Sequence, residues 1–191
     1  NILYCKFFNI FFNSKNSRNF VAATHAFLVV LLNSIYFITD NYSICQLSYY
    51  VSFGYFLFDL FYIILFENMN FLRALFIYHH IAAIYLIINN HLIYNTSQLF
   101  FLGELSNLPN YVIYYCLHQN NPSELEKNIL YYTRIIQKIF YGTIRVIINS
   151  FVLYEMFTIL DLNNPEIFRV SVIVIPVYFM GIIWTIAMLL Q

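Results

Sequence analysis

Six ionisable side chains interrupt stretches of this sequence that are otherwise apolar: His25, Asp59, His79, His80, Glu104 and Arg145. An imidazole beside a carboxylate can act as a general base, or take up an acyl group as a nucleophile once its tautomer is set. His79 and His80 are the candidates for that chemistry, with Asp59 or Glu104 as the orienting carboxylate. Metal chemistry fits less well. Adjacent positions on a helix point about 100° apart, so neighbouring histidines rarely ligate one ion, whereas positions i and i+4 would suit it better. The other histidines, His25, His91 and His118, are isolated and do not form the repeated boxes of a membrane di-iron site. Neither a Gly-rich phosphate loop nor a serine nucleophile motif is present, and no metal or cofactor is expected.

The elements that carry these residues are those of a membrane protein. Of 191 residues, 61% are hydrophobic, 21% aromatic and only 9% charged, and the mean hydropathy is +0.68, whereas soluble proteins carry roughly a quarter charged residues. Nine Lys and Arg balance nine Asp and Glu, which leaves no basic field for nucleic acid. Cys5, Cys45 and Cys116 are too few and too scattered for a disulfide framework or a metal knuckle.

A helix needs roughly 20 apolar residues to cross the hydrocarbon core. Six stretches qualify, at 20–39, 48–66, 71–89, 92–117, 137–160 and 168–190. The fourth is the least clean, holding Asn95, Ser97, Gln98, Glu104, Ser106, Asn107, Pro109 and Asn110, and Pro109 is expected to kink it by removing a backbone donor. Short links make the first four helices antiparallel neighbours. One sizeable loop runs from His118 to Ile136, where Asn120, Asn121, Pro122 and Ser123 read as a turn capping a short amphipathic helix through Tyr132. The apolar run from Ile2 to Phe12 is about half the length of a span. Without an initiator Met, residues 1–14 read as a stub of an upstream segment, and 15–191 as the domain.

Basic residues set the orientation. Lys6, Lys15, Arg18, Arg73, Lys127, Arg134 and Lys138 fall on one side and only Arg169 on the other, with Arg145 inside a span. This bias predicts that both termini and the long loop face the cytoplasm. Cys45 then stands on the opposite side without a disulfide partner. Two sequons, Asn41-Tyr42-Ser43 and Asn95-Thr96-Ser97, fall on that side too, so close to the membrane that they read as chance matches. Glu155, near that end of its span, reads as structural.

A charged side chain at the centre of a bilayer costs about 3 kcal/mol or more, so such residues are functional candidates by default. Asp59, His79, His80 and Arg145 lie about 7 to 9 residues from the cytoplasmic ends of their helices, or roughly 11 to 13 Å at 1.5 Å per residue. They can therefore share one layer, with His25 nearer the surface and Glu104 deeper. Tyr55 and Tyr62 flank Asp59, Tyr141 and Asn149 flank Arg145, and Asn107 and Tyr111 follow Glu104 on helical spacing. Two arrangements fit. Asp59 or Glu104 pairs with Arg145 as glue between helices, or the stripes face a common cavity that holds a lipid head or acyl chain. Two adjacent histidines at one depth exceed what pairing requires and favour the cavity. Its polar network would comprise His25, Asp59, Glu104, Asn107, Arg145 and Asn149.

Taken in order, these segments resemble the TLC-domain family, which includes ceramide synthases, translocon-associated proteins and other lipid-related membrane proteins. Asn16-Ser17-Arg18 with Thr24-His25-Ala26 is similar to that domain's opening. Phe58-Asp59-Leu60, Tyr78-His79-His80-Ile81-Ala82 and Leu102-Gly103-Glu104-Leu105-Ser106 are similar to its central signatures, and Ile144-Arg145 and Trp184 to its last two helices. The resemblance runs from about Lys15 nearly to the end. It implies a ring-like bundle of six transmembrane helices around a polar, membrane-embedded cavity. Ceramide synthases pair the two histidines with a His-Asp-x-x-Asp element, and here Gly103, Glu104 and Asn107 stand at its His and two Asp positions. That departure resembles the non-synthase branch of the transmembrane-protein-56 type, which implies lipid binding and a role in membrane lipid composition, trafficking or sensing.

Three functions follow as expectations. The leading one is a multi-pass protein that binds a membrane lipid in its cavity. The second is an N-acyltransferase with acyl-CoA as co-substrate, using His79 or His80. The third is a structural or chaperone-like partner of other membrane proteins. The family resemblance adds an endoplasmic reticulum or other endomembrane location.

Overall fold

The computed structural model describes residues 14–89, 93–119, 121–159 and 165–190. Nearly all of the expected N-terminal stub, with Cys5 and Lys6, lies outside the described residues, as does His91. Those described form an all-α bundle: α1 (Ser14–Thr39), α2 (Tyr42–Phe66), α3 (Phe71–Ile88), α4 (Ile93–Leu117), α5 (Glu124–Phe140), a π-helical segment (Tyr141–Ile148), α6 (Asn149–Ile159) and α7 (Pro165–Leu189). Because α5, the π segment and α6 follow without a break, the eight elements make six rods.

The rods close into a ring. Along it, α1 packs on α2, α2 on α3, α3 on α7, α7 on the π segment, and the rod containing that segment on α4, which returns to α1 in the most extensive contact of the bundle. Five rods are long and apolar enough to cross a membrane. The sixth, α4, has the length at 25 residues, but its amide and hydroxyl side chains lower its hydropathy. Those side chains turn inward: Ser97, Glu104 and Ser106 are buried, while the outer surface of the ring carries exposed Phe27, Phe61, Ile81 and Phe151. Lipid solvates apolar side chains, so the polar groups are driven to the inside where partners exist.

Local chemistry sets the helix starts. Asn41 caps α2, its side chain accepting from the Ser43 amide, and this starts the helix six residues before the expected boundary at 48. Asn70 does the same for α3 through the Arg73 amide at 2.9 Å. The first sequon therefore includes a working cap, and in the second, Thr96 and Ser97 are buried within α4. Between α1 and α2, small residues bring the backbones close. Ala26, Cys45, Ser48 and Ser52 are all buried there, and Asn33 Nδ2 donates to Ser48 Oγ at 2.8 Å.

Two expectations are corrected. The segment from His118 to Ile136 is not mainly loop, and the amphipathic helix does not stop at Tyr132; it runs straight into the fifth span. No Gly or Pro interrupts the chain from Ser123 to Tyr141, and the apolar positions Leu125, Ile129, Tyr132, Ile136 and Ile139 keep a helical period. From Glu124 to Ile159 the rod holds 36 residues and is roughly 54 Å long at 1.5 Å per residue, so it extends beyond a hydrocarbon core about 30 Å thick. The expected turn and cap are present. Ser123 and Glu126 form a capping box, with the Glu126 carboxylate accepting from the Ser123 amide at 2.7 Å. Ser123→Ala is expected to weaken that first turn by about 1 kcal/mol, read as roughly fivefold faster amide hydrogen exchange at Glu126 with the bundle's melting unchanged. The second correction is the π segment, which periodicity did not announce; the helical assignment of α4, by contrast, continues through Pro109.

Candidate functional site

All six rods contribute to one chamber of about 760 Å³ at the end of the ring where Arg18, Arg73 and Gln137 lie. Its size falls within the roughly 300 to 1,000 Å³ of ordinary ligand sites. Three polar clusters build its wall.

The first joins α1, α2 and α3. Asp59 is buried and accepts from Arg18 through both oxygens, Nε to Oδ1 at 2.7 Å and Nη2 to Oδ2 at 2.9 Å. A fork of this kind is the strongest geometry a guanidinium and a carboxylate can adopt. Arg18 also reaches Glu67, which pairs in turn with Arg73, so the α2–α3 turn is tied to the start of α1. On its other side Asp59 Oδ2 lies 3.0 Å from His80 Nε2. That approach is too oblique for an in-line hydrogen bond, so the contact is electrostatic. His80 Nδ1 donates to the Phe76 carbonyl at 2.6 Å, a bond that requires the proton on Nδ1 because a carbonyl can only accept. His80 is thus held by the Phe76 carbonyl, with Nε2 turned toward the Asp59 carboxylate.

The second cluster surrounds His25, which is buried behind the wall that Tyr55 and Glu104 form and does not itself line the chamber. Its ring stacks on Tyr55 at 3.9 Å between centroids, its Nε2 lies 3.3 Å from Ser52 Oγ, and its Nδ1 is 3.9 Å from Glu104 Oε1. Glu104 also accepts from Asn107 Nδ2 at 3.3 Å.

The third is a ladder between α4 and the long rod. Glu104, Asn107 and Asn110 recur every three residues on one, and Gln137, Tyr141 and Arg145 every four on the other, so each set shares a face. Gln137 Nε2 donates to Asn110 Oδ1 at 2.5 Å, and Asn110 Nδ2 to the Tyr141 hydroxyl at 2.6 Å. Tyr141 donates to Asn107 Oδ1 at 3.0 Å, and Arg145 Nη2 to the same oxygen at 2.7 Å. Arg145 Nε donates to Ser106 Oγ at 2.8 Å, and its guanidinium lies 4.6 Å above the Tyr141 ring.

The expected residues converge, with a different pairing. Glue between Arg145 and a carboxylate is not what is found: among the described residues no carboxylate lies within 4.0 Å of Arg145, and Asp59 belongs to Arg18 and His80. The two histidines also separate in role. His80 is buried and engaged, while His79 is half-buried, lines the chamber, and has no hydrogen-bond partner among the described residues. Asn149 stands apart from the chamber. It lines an apolar annex of about 110 Å³ with Leu86, Leu99, Leu153, Val174 and Tyr178. Chamber and annex share Phe56, His79, Glu104, Asn107 and Arg145, which form a waist between them.

Sequence reasoning missed Arg18, Glu67, Asn110 and Gln137 as site residues. With the first span starting at 20, Arg18 reads as a basic flank and part of the opening motif, whereas α1 begins at Ser14 and carries Arg18 within its second turn. Asn110 and Gln137 carry no charge, and their signal lies only in the i+3 and i+4 spacings to Asn107 and Tyr141. Among the described residues no cluster of three or more His, Cys, Asp or Glu could hold a metal ion. Cys45 and Cys116 are buried free thiols, Cys45 Sγ lying 3.0 Å from Ser97 Oγ.

Fold and site together define a multi-pass helical membrane protein with a polar chamber inside its ring of helices. No family model matches the chain, nor does any curated protein or solved structure.

Proposed function

We propose that the protein binds a membrane lipid within its ring and through it influences lipid composition, trafficking or sensing, as its resemblance to non-synthase TLC-domain proteins implies. The observation that carries this reading is the juxtaposition of a polar chamber and an apolar annex across one waist. An amphiphile has the same two-part character, and a mostly apolar slot beside charged groups suits a tail joined to a head. The positive-inside bias supports a cytoplasmic position for the chamber end, both termini and the start of the long rod, and the family resemblance implies an endomembrane. The polar interior is what gives lipid binding precedence over a purely structural partner role, since a scaffold needs only its outer faces.

Acyl transfer from acyl-CoA to an amine is the second reading, favoured by the unpartnered His79 at the waist and by Asp59 beside His80. In that chemistry the attacking amine gives its proton to an imidazole as the thiol leaves the thioester carbon.

Native mass spectrometry of the detergent-purified protein tests the proposal. A defined lipid is expected to co-purify in excess of its share of the membrane, and His79→Ala is expected to reduce its retention without changing the melting temperature. A bound-lipid profile that merely mirrors the bulk membrane would overturn lipid binding. New N-acylated products that depend on His79 and His80 would put the acyltransferase reading first.

A further inference from the structure

A guanidinium has five N–H donors. In Arg145, Nε donates to Ser106 Oγ, and the two hydrogens of Nη2 go to the Gly103 carbonyl at 3.3 Å and to Asn107 Oδ1 at 2.7 Å. All three acceptors are neutral oxygens. The two hydrogens of Nη1 have no partner among the described residues, and no carboxylate reaches the group within 4.0 Å. Glu104 is held off by the amide of Asn107, which accepts from Arg145 on one side and donates to Glu104 on the other. A membrane helix therefore carries a cation, at a cost of about 3 kcal/mol or more, whose position is fixed by neutral groups and whose charge is left unmatched.

Two further orphans lie beside it. His79 Nδ1 and Asn149 Oδ1 are buried without hydrogen-bond partners, and both residues line the annex that Arg145 also lines. Gly181 lines the same annex, where a Cβ would sit at ordinary contact distance, 3.8 Å, from the aliphatic Cδ of Arg145.

We infer that Arg145 is an oxyanion subsite, taking the carboxylate or phosphate head of an amphiphile whose tail enters the apolar annex. The inference rests on the lipid-binding reading and narrows it to anionic lipids. The fork of Arg145 is held by Ser106 and Asn107 before any ligand arrives, so little ordering opposes binding. An oxyanion on Nη1 would supply the missing counter-charge through a charge-assisted bond, the stronger kind. His79, at the same waist, can donate to that head, and Asn149 can accept from a hydroxyl near it.

The test compares oleate, oleoyl lysophosphatidate and neutral monooleoylglycerol, added in detergent micelles to the full chain, with inorganic phosphate as a head without a tail. Trp184, the single tryptophan, lines the chamber and reports occupancy by its fluorescence. The two anionic amphiphiles are expected to bind about tenfold or more tightly than the neutral ester, as one charge-assisted bond implies. Arg145→Gln is expected to erase that preference, while Arg145→Lys keeps part of it. Because Arg145 also supports the ladder, the wild-type comparison stands without any variant: equal affinity for oleate and monooleoylglycerol would overturn the subsite and leave lipid binding intact. Binding of inorganic phosphate with none of the amphiphiles would keep the oxyanion subsite, assign it to a soluble anion and overturn the lipid source. Failure of all four probes would overturn both.

Discussion

Asp59→Ala is expected to destabilise the detergent-purified protein by about 3 to 5 kcal/mol, the usual consequence of removing one partner from a buried ion pair. Asp59 is only 3% exposed, and it is the group on which Arg18 of α1 and His80 of α3 converge. Its loss leaves the buried imidazole without its carboxylate and the guanidinium with Glu67 alone, on a side chain too far along α2 to take over the fork. For a chain of this size each kcal/mol moves the melting midpoint by roughly 2 to 4 °C, so a fall of about 10 °C is expected in thermal unfolding. Asp59→Asn, which keeps the shape and one accepting oxygen, should fall between. In the double variant Arg18→Ala, Asp59→Ala, the loss should be well below the sum of the singles, because the second change removes the charge that the first left stranded. A shift of only 1 to 2 °C for Asp59→Ala would show that water reaches the cluster and that the three helices are held by packing alone.

The contrast between Asp59 and Arg145 shows what the sequence carries and what it withholds. Hydropathy and period located every rod because lipid-facing residues need only be apolar, a requirement readable one residue at a time. That Asp59, His79, His80 and Arg145 come to one chamber was also legible, because each helix advances by a fixed rise. Pairing was not. Whether Arg145 meets Asp59, Glu104 or neither depends on which helices adjoin around the ring and on the rotation of each about its axis. That rotation is set partly by the π segment, which changes the angular position of every residue after Tyr141 and leaves no signature in composition. The same holds for Arg18. Its role came into view only when α1 was seen to begin at Ser14, so that a residue read as a flank became the partner of a carboxylate 41 positions away. The polar ladder shows the opposite limit: Asn110 and Gln137 carry no signal alone, and only the facing of α4 on the long rod joins them to Asn107 as a unit.

Asn107→Leu is the second large effect, because Asn107 is the centre of that ladder. Its amide accepts from Tyr141 and Arg145 and donates to Glu104. Leucine has the same branched shape, though it is bulkier, and can do none of this, so buried Glu104 and Tyr141 and half-buried Arg145 each lose a partner at about 1 to 3 kcal/mol. The losses overlap, since Tyr141 can turn to Asn110 and Arg145 keeps Ser106, so the expected total is on the order of 4 kcal/mol. Asn107→Asp separates the loss of hydrogen bonds from the loss of charge balance. A carboxylate at 107 still accepts from Tyr141 and Arg145 and supplies the guanidinium with a counter-charge, at the cost of the donor to Glu104 and of a like charge one turn away. It should therefore melt above Asn107→Leu, while its own charge competes for Arg145 and removes the preference for anionic over neutral amphiphiles. If Asn107→Asp kept the wild-type preference, the oxyanion would have to bind elsewhere in the chamber. If Asn107→Leu cost less than about 1 kcal/mol, the ladder would be solvated, and the position of Arg145 would rest on Ser106 and the π segment instead.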